Sequence, residues 1–283
     1  MTPLVLIHGF TGAPASWDGV VAELPAQTPP RIIHRVRVLG HDGGPLEVQR
    51  PGFQGEVDRI AAELRAARLD AVHLVGYSLG GRLALGLLAT HPELLARVTL
   101  IGARNGLPAD DVVARAARRA EDARWSAGLA DGLPAFVDAW EAQPVLAAPR
   151  LPAATRARER AIRLAHDPRG LALALATLGL AEMPDYGAAL TTRRARSTPT
   201  TLVVGADDAR FLALAAELRG HLPHAALRTI AGAGHNVVTQ APAALAALLT
   251  EPNQPNQPNQ PNQLAALAEP TEVEARDVEA ARN

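Results

Sequence analysis

The stretch Gly76-Tyr77-Ser78-Leu79-Gly80 places a serine between two glycines, each two residues away, in the pattern G-x-S-x-G. Residues 71–78 are apolar enough for a strand, and residues 80–92 continue with helical spacing. A strand that turns sharply into a helix holds its central residue in strained backbone, and the flanking glycines let the chains close up. The hydroxyl then stands exposed at the helix N-terminus. An unassisted alcohol is a weak nucleophile and a weak base, so it needs an imidazole to take its proton and a carboxylate to orient the imidazole. His235 lies in the glycine-loosened loop GAGHN, directly after a strand pattern. Asp208 ends the strand unit that passes through Gly205. Asp207 competes with it, and a carboxylate leaving a buried strand also reads as a turn-former; Asp208 is taken ahead of Asp207.

These three residues need elements that bring them to one place. Residues 4–7 form a short apolar run that reads as a buried strand ending in HGFTG, and residues 13–25 space their apolar side chains like a helix. Residues 31–40 alternate like a strand near a sheet edge, and 53–69 read as an amphipathic helix. Residues 96–103 are again a strand. Alternating strands and helices predict βαβ units and a parallel sheet. From 104 to 196 only helical patterns occur, rich in Ala, Arg and Leu; strands then return at 197–208 and in AALRTIAGAGHN, each followed by a helix. The expected fold is α/β: a mostly parallel sheet flanked by helices, in two pieces (1–103 and 197–250), with an all-helical cap (104–196) inserted before the Asp-bearing strand. Ligands bind at the C-terminal edge of such sheets, under the cap. The order Ser78, Asp208, His235 is that of the α/β-hydrolase fold. In that fold the loop after the first strand and the residue after the nucleophile supply oxyanion-binding N–H groups, which assigns Phe10 and Leu79. Residues 251–283 open with four Pro-Asn-Gln repeats, and a proline at every third position predicts an extended, disordered tail.

Composition excludes several functions. A net charge of −1 gives no basic field for nucleic acid. With no cysteine there is no thiol catalysis, disulfide or thiolate metal site. No metal-ligand spacing, Walker motif or dinucleotide fingerprint is found, so neither metal nor cofactor is expected. The longest apolar stretch, 170–183, is interrupted and too short for a membrane helix, and no targeting segment is visible; a soluble cytoplasmic protein is expected. The oligomeric state is not legible. Aromatic residues make up only 3% of the chain, so Phe10, Trp17, Tyr77, Trp125 and Trp140 stand out against a core of small aliphatics.

Arg82 sits four residues after Ser78 and shares a helix face with it. It either snorkels to the surface or recognises an anion beside the serine. The cap stretch ARAARRAEDARW carries Arg115, Arg118, Arg119 and Arg124, which read as a solvated face balanced by Glu121 and Asp122, or as a basic roof for a carboxylated substrate.

The motifs GYSLGGR (76–82), HGFTG (8–12), FVDAWEAQPV (136–145), GADDARFLALAAEL (205–218) and AGHN (233–236), with the cap's Arg118, Asp122 and Trp125, resemble the α/β-hydrolase-fold 2-succinyl-6-hydroxy-2,4-cyclohexadiene-1-carboxylate synthases of menaquinone biosynthesis. The resemblance covers residues 4–249. Arg directly after GYSLGG, the cap Arg118 and W-x-x-Q-P at 140–144 are its more specific parts. It implies a lyase that removes a ring proton alpha to a succinyl carbonyl and eliminates pyruvate from a small polycarboxylate. Ser78 would be the base, activated by His235 and Asp208; Phe10 and Leu79 would hold the enolate oxygen. Arg82, Arg118, Tyr77 and Trp140 would bind the anionic substrate. The usual D-x-P-G-H-G loop is VLGHDGGP here. A serine carboxylesterase or C–C hydrolase acting on an anionic substrate is the alternative function. A binding module that leaves the three residues idle is the other rival, and the presence of all three argues against it.

Overall fold

The computed structural model describes residues 2–26, 29–47, 50–148 and 151–251; the expected Pro-Asn-Gln tail lies outside them, apart from Glu251. The first half runs β1 (Leu4–Ile7), α1 (Asp18–Ala22), β2 (Ile33–Val36), α2 (Gly52–Ala66), β3 (Val72–Tyr77), α3 (Leu79–Thr90) and β4 (Leu95–Ile101). Six helices follow: α4 (Val112–Gly128), α5 (Leu133–Glu141), α6 (Ala153–Leu164), α7 (Pro168–Leu178), α8 (Gly187–Leu190) and α9 (Arg193–Ser197). The chain then returns through β5 (Thr200–Gly205), α10 (Ala209–His221), β6 (Ala226–Ile230), α11 (Val237–Gln240) and α12 (Pro242–Thr250).

The six strands form one sheet in the order β2-β1-β3-β4-β5-β6, and all five pairings are parallel. Leu4 lies opposite Ile33 on one side and His73 on the other, and Leu100 opposite Leu202. Helices cover both faces, so a central strand must be apolar throughout rather than alternating. In β1, Val5 and Ile7 pack with Val57, Leu74 and Leu83, while Leu4 and Leu6 pack with Trp17, Val75 and Leu245 on the other face. Parallel pairing also sends every strand's C-terminal end to one edge. The loops after β1, β3, β5 and β6, which carry His8, Ser78, Asp208 and His235, therefore emerge together.

Two elements differ from the sequence pattern for local reasons. The strand expected over 31–40 ends at Val36, because the Leu39 N–H leaves the sheet to donate to the buried Glu56 carboxylate at 2.9 Å. At Gly40 the chain turns with φ +74°, and a Cβ there would lie 2.0 Å from the Gly170 carbonyl at the start of α7. The helix expected over 13–25 divides into a tight turn, Pro14–Trp17, and the short α1, an arrangement that buries the Trp17 ring completely.

Between β4 and β5 the described residues form helices only. Their own apolar cluster joins Leu129, Leu133, Phe136, Val137, Leu171 and Leu175, with Phe10 of the β1 loop packed against it. No described helix is long and apolar enough to cross a membrane.

Candidate active site

Ser78 joins β3 to α3 with φ 52° and ψ −109°, left-handed backbone that a side chain rarely adopts. Its N–H donates to Ile101 O at 2.8 Å, and its own carbonyl accepts from Arg82 N–H at 3.0 Å. The glycines on either side are sterically required. A Cβ on Gly76 would meet Gly80 O at 2.2 Å, and one on Gly80 would meet Ile7 O at the same distance.

His235 reaches Ser78 from the loop after β6. Its Nε2 lies 3.2 Å from Ser78 Oγ, and its Nδ1 lies 3.0 Å from Asp208 Oδ2. The carboxylate can only accept, so Nδ1 carries the proton and Nε2 turns its lone pair to the serine. Asp208 is buried and also caps α10, with Oδ1 accepting from Phe211 N–H at 3.1 Å. One carboxylate oxygen thus caps the helix while the other meets the imidazole. The Phe211 ring lies 4.1 Å from the imidazole between centroids, and Tyr77 lies 5.5 Å away on a tilted approach. Burial pushes the Tyr77 phenol above its usual pKa.

Phe10 and Leu79 both line the cavity in front of Ser78. Gly9 O accepts from Gly12 N–H at 3.0 Å and from His8 Nδ1–H at 2.9 Å. In a trans peptide the N–H points opposite to the carbonyl, so holding Gly9 O on that side turns Phe10 N–H the other way. Leu79 is the first residue of α3, and an amide in a helix's first turn has no acceptor within its own helix.

The cavity measures about 210 Å³. Its floor is Ser78, His235, Tyr77 and the β1 loop; its roof comes from α4, α5, α6 and α7. Arg82 lines it and does not snorkel away: Nη1 donates to Leu178 O at 3.0 Å, and the guanidinium lies 5.8 Å from the centre of the Phe53 ring. Burial pulls its pKa below the usual arginine value; Arg118 and Arg104 add to that and Asp122 opposes it. Arg82 has no ion pair among the described residues. Of the four α4 arginines Arg115, Arg118, Arg119 and Arg124, Arg118 is the one lining the cavity, and it is held by the buried Asp122 at 2.8 Å. Arg115 donates to the carbonyls of Leu107, Pro108, Ala181 and Met183, and Arg119 pairs with Glu182. Trp140 stacks on Phe136 and meets Phe10 edge-on at 5.0 Å.

Residues that the sequence did not single out also line the cavity, among them Arg163 and Glu159 of α6, Arg210 of α10 and Arg104. Arg163 donates to Glu141 at 3.0 Å and lies 3.8 Å from Glu159, while its Nε is buried without a partner. Burial raises the Glu159 pKa, and Arg163 opposes that. The available signal was the Glu159/Arg163 spacing of four with Ile162 and Leu164 beside the arginine, but it lies in a helix crowded with exposed arginines. Among the described residues no group of three or more acidic or histidine side chains is placed to hold a metal ion.

The sequence profile of the alpha/beta hydrolase family matches residues 4–248. A 2-succinyl-6-hydroxy-2,4-cyclohexadiene-1-carboxylate synthase of Enterobacter sp. (strain 638) is 34% identical over 88% of this chain and 90% of its own. A protein of the same name from Klebsiella pneumoniae subsp. pneumoniae is 34% identical over 88% of this chain and 92% of its own. Among solved structures, that of MenH from S. aureus superposes with a TM-score of 0.79 at 22% identity, covering 88% of this chain and 91% of that one, a likeness of fold.

Proposed function

Because the chain belongs to the alpha/beta hydrolase family, and within it to the 2-succinyl-6-hydroxy-2,4-cyclohexadiene-1-carboxylate synthases, we propose that it is a lyase eliminating pyruvate from 2-succinyl-5-enolpyruvyl-6-hydroxy-3-cyclohexene-1-carboxylate. Ser78 takes the ring proton alpha to the succinyl carbonyl as its own hydroxyl proton passes to His235 Nε2. Asp208 stabilises the imidazolium that forms. Electron density released from the C–H bond moves onto the carbonyl oxygen, where the N–H groups of Phe10 and Leu79 receive it. An oxyanion hole suits an enolate as well as a tetrahedral intermediate, since both carry the charge on one oxygen. The enolate then collapses, the bond to the enolpyruvyl oxygen breaks, and the departing pyruvate enolate takes up a proton. Arg82 and Arg118 bind the substrate's carboxylates, with Tyr77 and Trp140 packing against the ring.

One observation carries this reading beyond kinship. Arg82 is a partly buried cation lining the cavity with Ser78 and has no ion pair among the described residues, a site that an anionic substrate completes. The test mixes purified protein and Ser78→Ala with the substrate and follows pyruvate through a coupled dehydrogenase. Serine-dependent release well above the spontaneous rate is expected. Release no faster than in buffer alone removes the lyase reading and leaves hydrolysis of an anionic ester or diketone.

A further inference from the structure

The β1 loop, which carries Phe10, contains a residue in an unfavourable conformation. Thr11 has φ 60°, and the loop after β2 has a second such residue, Asp42, with φ 22°. Neither is a glycine, and such backbone persists only where its surroundings hold it. One side chain grips both. His166, between α6 and α7, accepts the Asp42 N–H on Nδ1 at 3.1 Å and donates from Nε2 to Thr11 O at 3.0 Å. The backbone partners fix the tautomer, because an amide N–H must donate and a carbonyl must accept. On the other side of Thr11, its N–H donates to His41 Nε2 at 3.2 Å, and His41 Nδ1 donates to Leu39 O at 2.9 Å. His41 and His166 meet edge to face, with centroids 5.4 Å apart. Both rings are buried, so no water competes for these bonds.

We propose that His166 is a positioning residue for the elimination: by clamping Thr11 and Asp42 from the helical segment, it holds the Phe10 N–H in place for the enolate oxygen. The inference rests on the lyase reading above for its substrate, but not for its geometry. Its consequence is that the oxyanion donor forms fully only when α6 and α7 are seated on the two loops. The same seam is sealed by the close passage of Gly40 and Gly170. His166 touches no reacting atom; it acts through Thr11 on the Gly9–Phe10 peptide two units back. Misplacing a single oxyanion donor costs up to about 100- to 1,000-fold in kcat, and a loosened one costs part of that.

The experiment compares His166→Ala and His166→Gln with the parent enzyme in steady-state pyruvate release, corrected for folded fraction by circular dichroism. For His166→Ala, kcat is expected to fall at least tenfold with KM within about twofold. The glutamine amide still offers Thr11 a donor, and His166→Gln is expected to regain most of the loss. In a Thr11→Gly background the left-handed penalty at that residue is gone, so removing His166 should cost several-fold less than it does with threonine present. A kcat per folded enzyme that is unchanged in His166→Ala, or a loss confined to KM, overturns the proposal. So does an undiminished loss in the Thr11→Gly background. If His166→Ala fails to fold, His166→Leu, which keeps the bulk and removes both hydrogen bonds, decides with the same tenfold loss expected, since a role in stability only predicts full kcat from whatever folds. If the parent enzyme releases no pyruvate, the lyase reading fails on its own. His166 is then read from the rate at which p-nitrophenyl acetate acylates Ser78, which needs the same donor, with the same tenfold loss expected and an unchanged rate overturning it.

Discussion

A guanidinium with one carbonyl and one aromatic ring as neighbours is costly to take even partly out of water. Arg82 is held by Leu178 O and Phe53, and the surrounding charges nearest to it are largely of its own sign. Replacing a poorly compensated, partly buried charge with an apolar side chain of similar size is often neutral or stabilising. The structural and chemical demands on this residue therefore oppose each other. Arg82→Leu is expected to raise the urea midpoint, by the equivalent of about 1 kcal/mol, while kcat/KM for pyruvate release falls on the order of 100-fold, the cost of leaving a substrate carboxylate without its partner. Arg82→Lys, which keeps the charge but loses the fork, should fall between the two in activity. Paired denaturation curves and kinetics decide the matter. Stability and activity falling together would make Arg82 a structural residue.

The helices between β4 and β5 divide their arginines between holding the roof together and lining it. Arg115 on α4 ties four carbonyls from the flanking turns, whereas Arg118, one turn later, faces the cavity through Asp122. Arg115→Ala should cost roughly 1–3 kcal/mol of stability from carbonyls left without a donor, with kcat per folded enzyme unchanged. Arg118→Ala should lower both, because it strands the buried Asp122 as well as removing a cation from the cavity. Thermal melts beside pyruvate assays separate the two, and identical behaviour would erase the distinction drawn between them. The same division explains what could be read from the sequence. The places of Ser78, Asp208 and His235 follow from parallel topology, since each comes just after a buried apolar run and all such ends share one edge. Arg163, Glu159 and His166 follow from no such rule. They belong to helices whose seating on the sheet is set by distant contacts, and an arginine in an arginine-rich helix reads the same whether it faces water or a cavity. Even Arg118 could be told from Arg115 and Arg119 only by seeing which carbonyls its neighbours reach.

Across the whole molecule, four histidines share a condition that links stability to pH. Burial drives His8 down to about 4, drives His41 and His73 well below the usual histidine value, and lowers His166 as well. Like-charged neighbours add to this, Arg97 and Arg31 at His73 and the other two rings of the cluster at His41. All four imidazoles take a proton more readily in the unfolded chain, whose histidines titrate near 6.5. The unfolded state thus binds more protons below that pH, and stability must fall as pH falls from 6.5 toward 4, while above 7 these groups contribute no slope. Asp58, Glu63 and Glu93, with depressed pKa values, continue the loss at more acid pH. Glu159, raised by burial, opposes it at pH values just above the ordinary carboxylate range. His8 alone accounts for about 3 kcal/mol by pH 4. Set against the roughly 5–15 kcal/mol that holds a domain folded, that is a large share, and His41, His73 and His166 act in the same direction. Urea titrations at half-unit steps should show a flat midpoint from pH 8 to 7 and a steep decline between 6.5 and 4.5. Unfolding near pH 5 should take up several protons, read from calorimetric enthalpies in buffers of different ionisation heat. A midpoint that stays level down to pH 4.5 would mean that these imidazoles can be protonated in the folded state. The tautomers that fix Thr11 and Asp42 would then not be obligatory, and the neutral histidine cluster behind the oxyanion loop would lose its structural meaning.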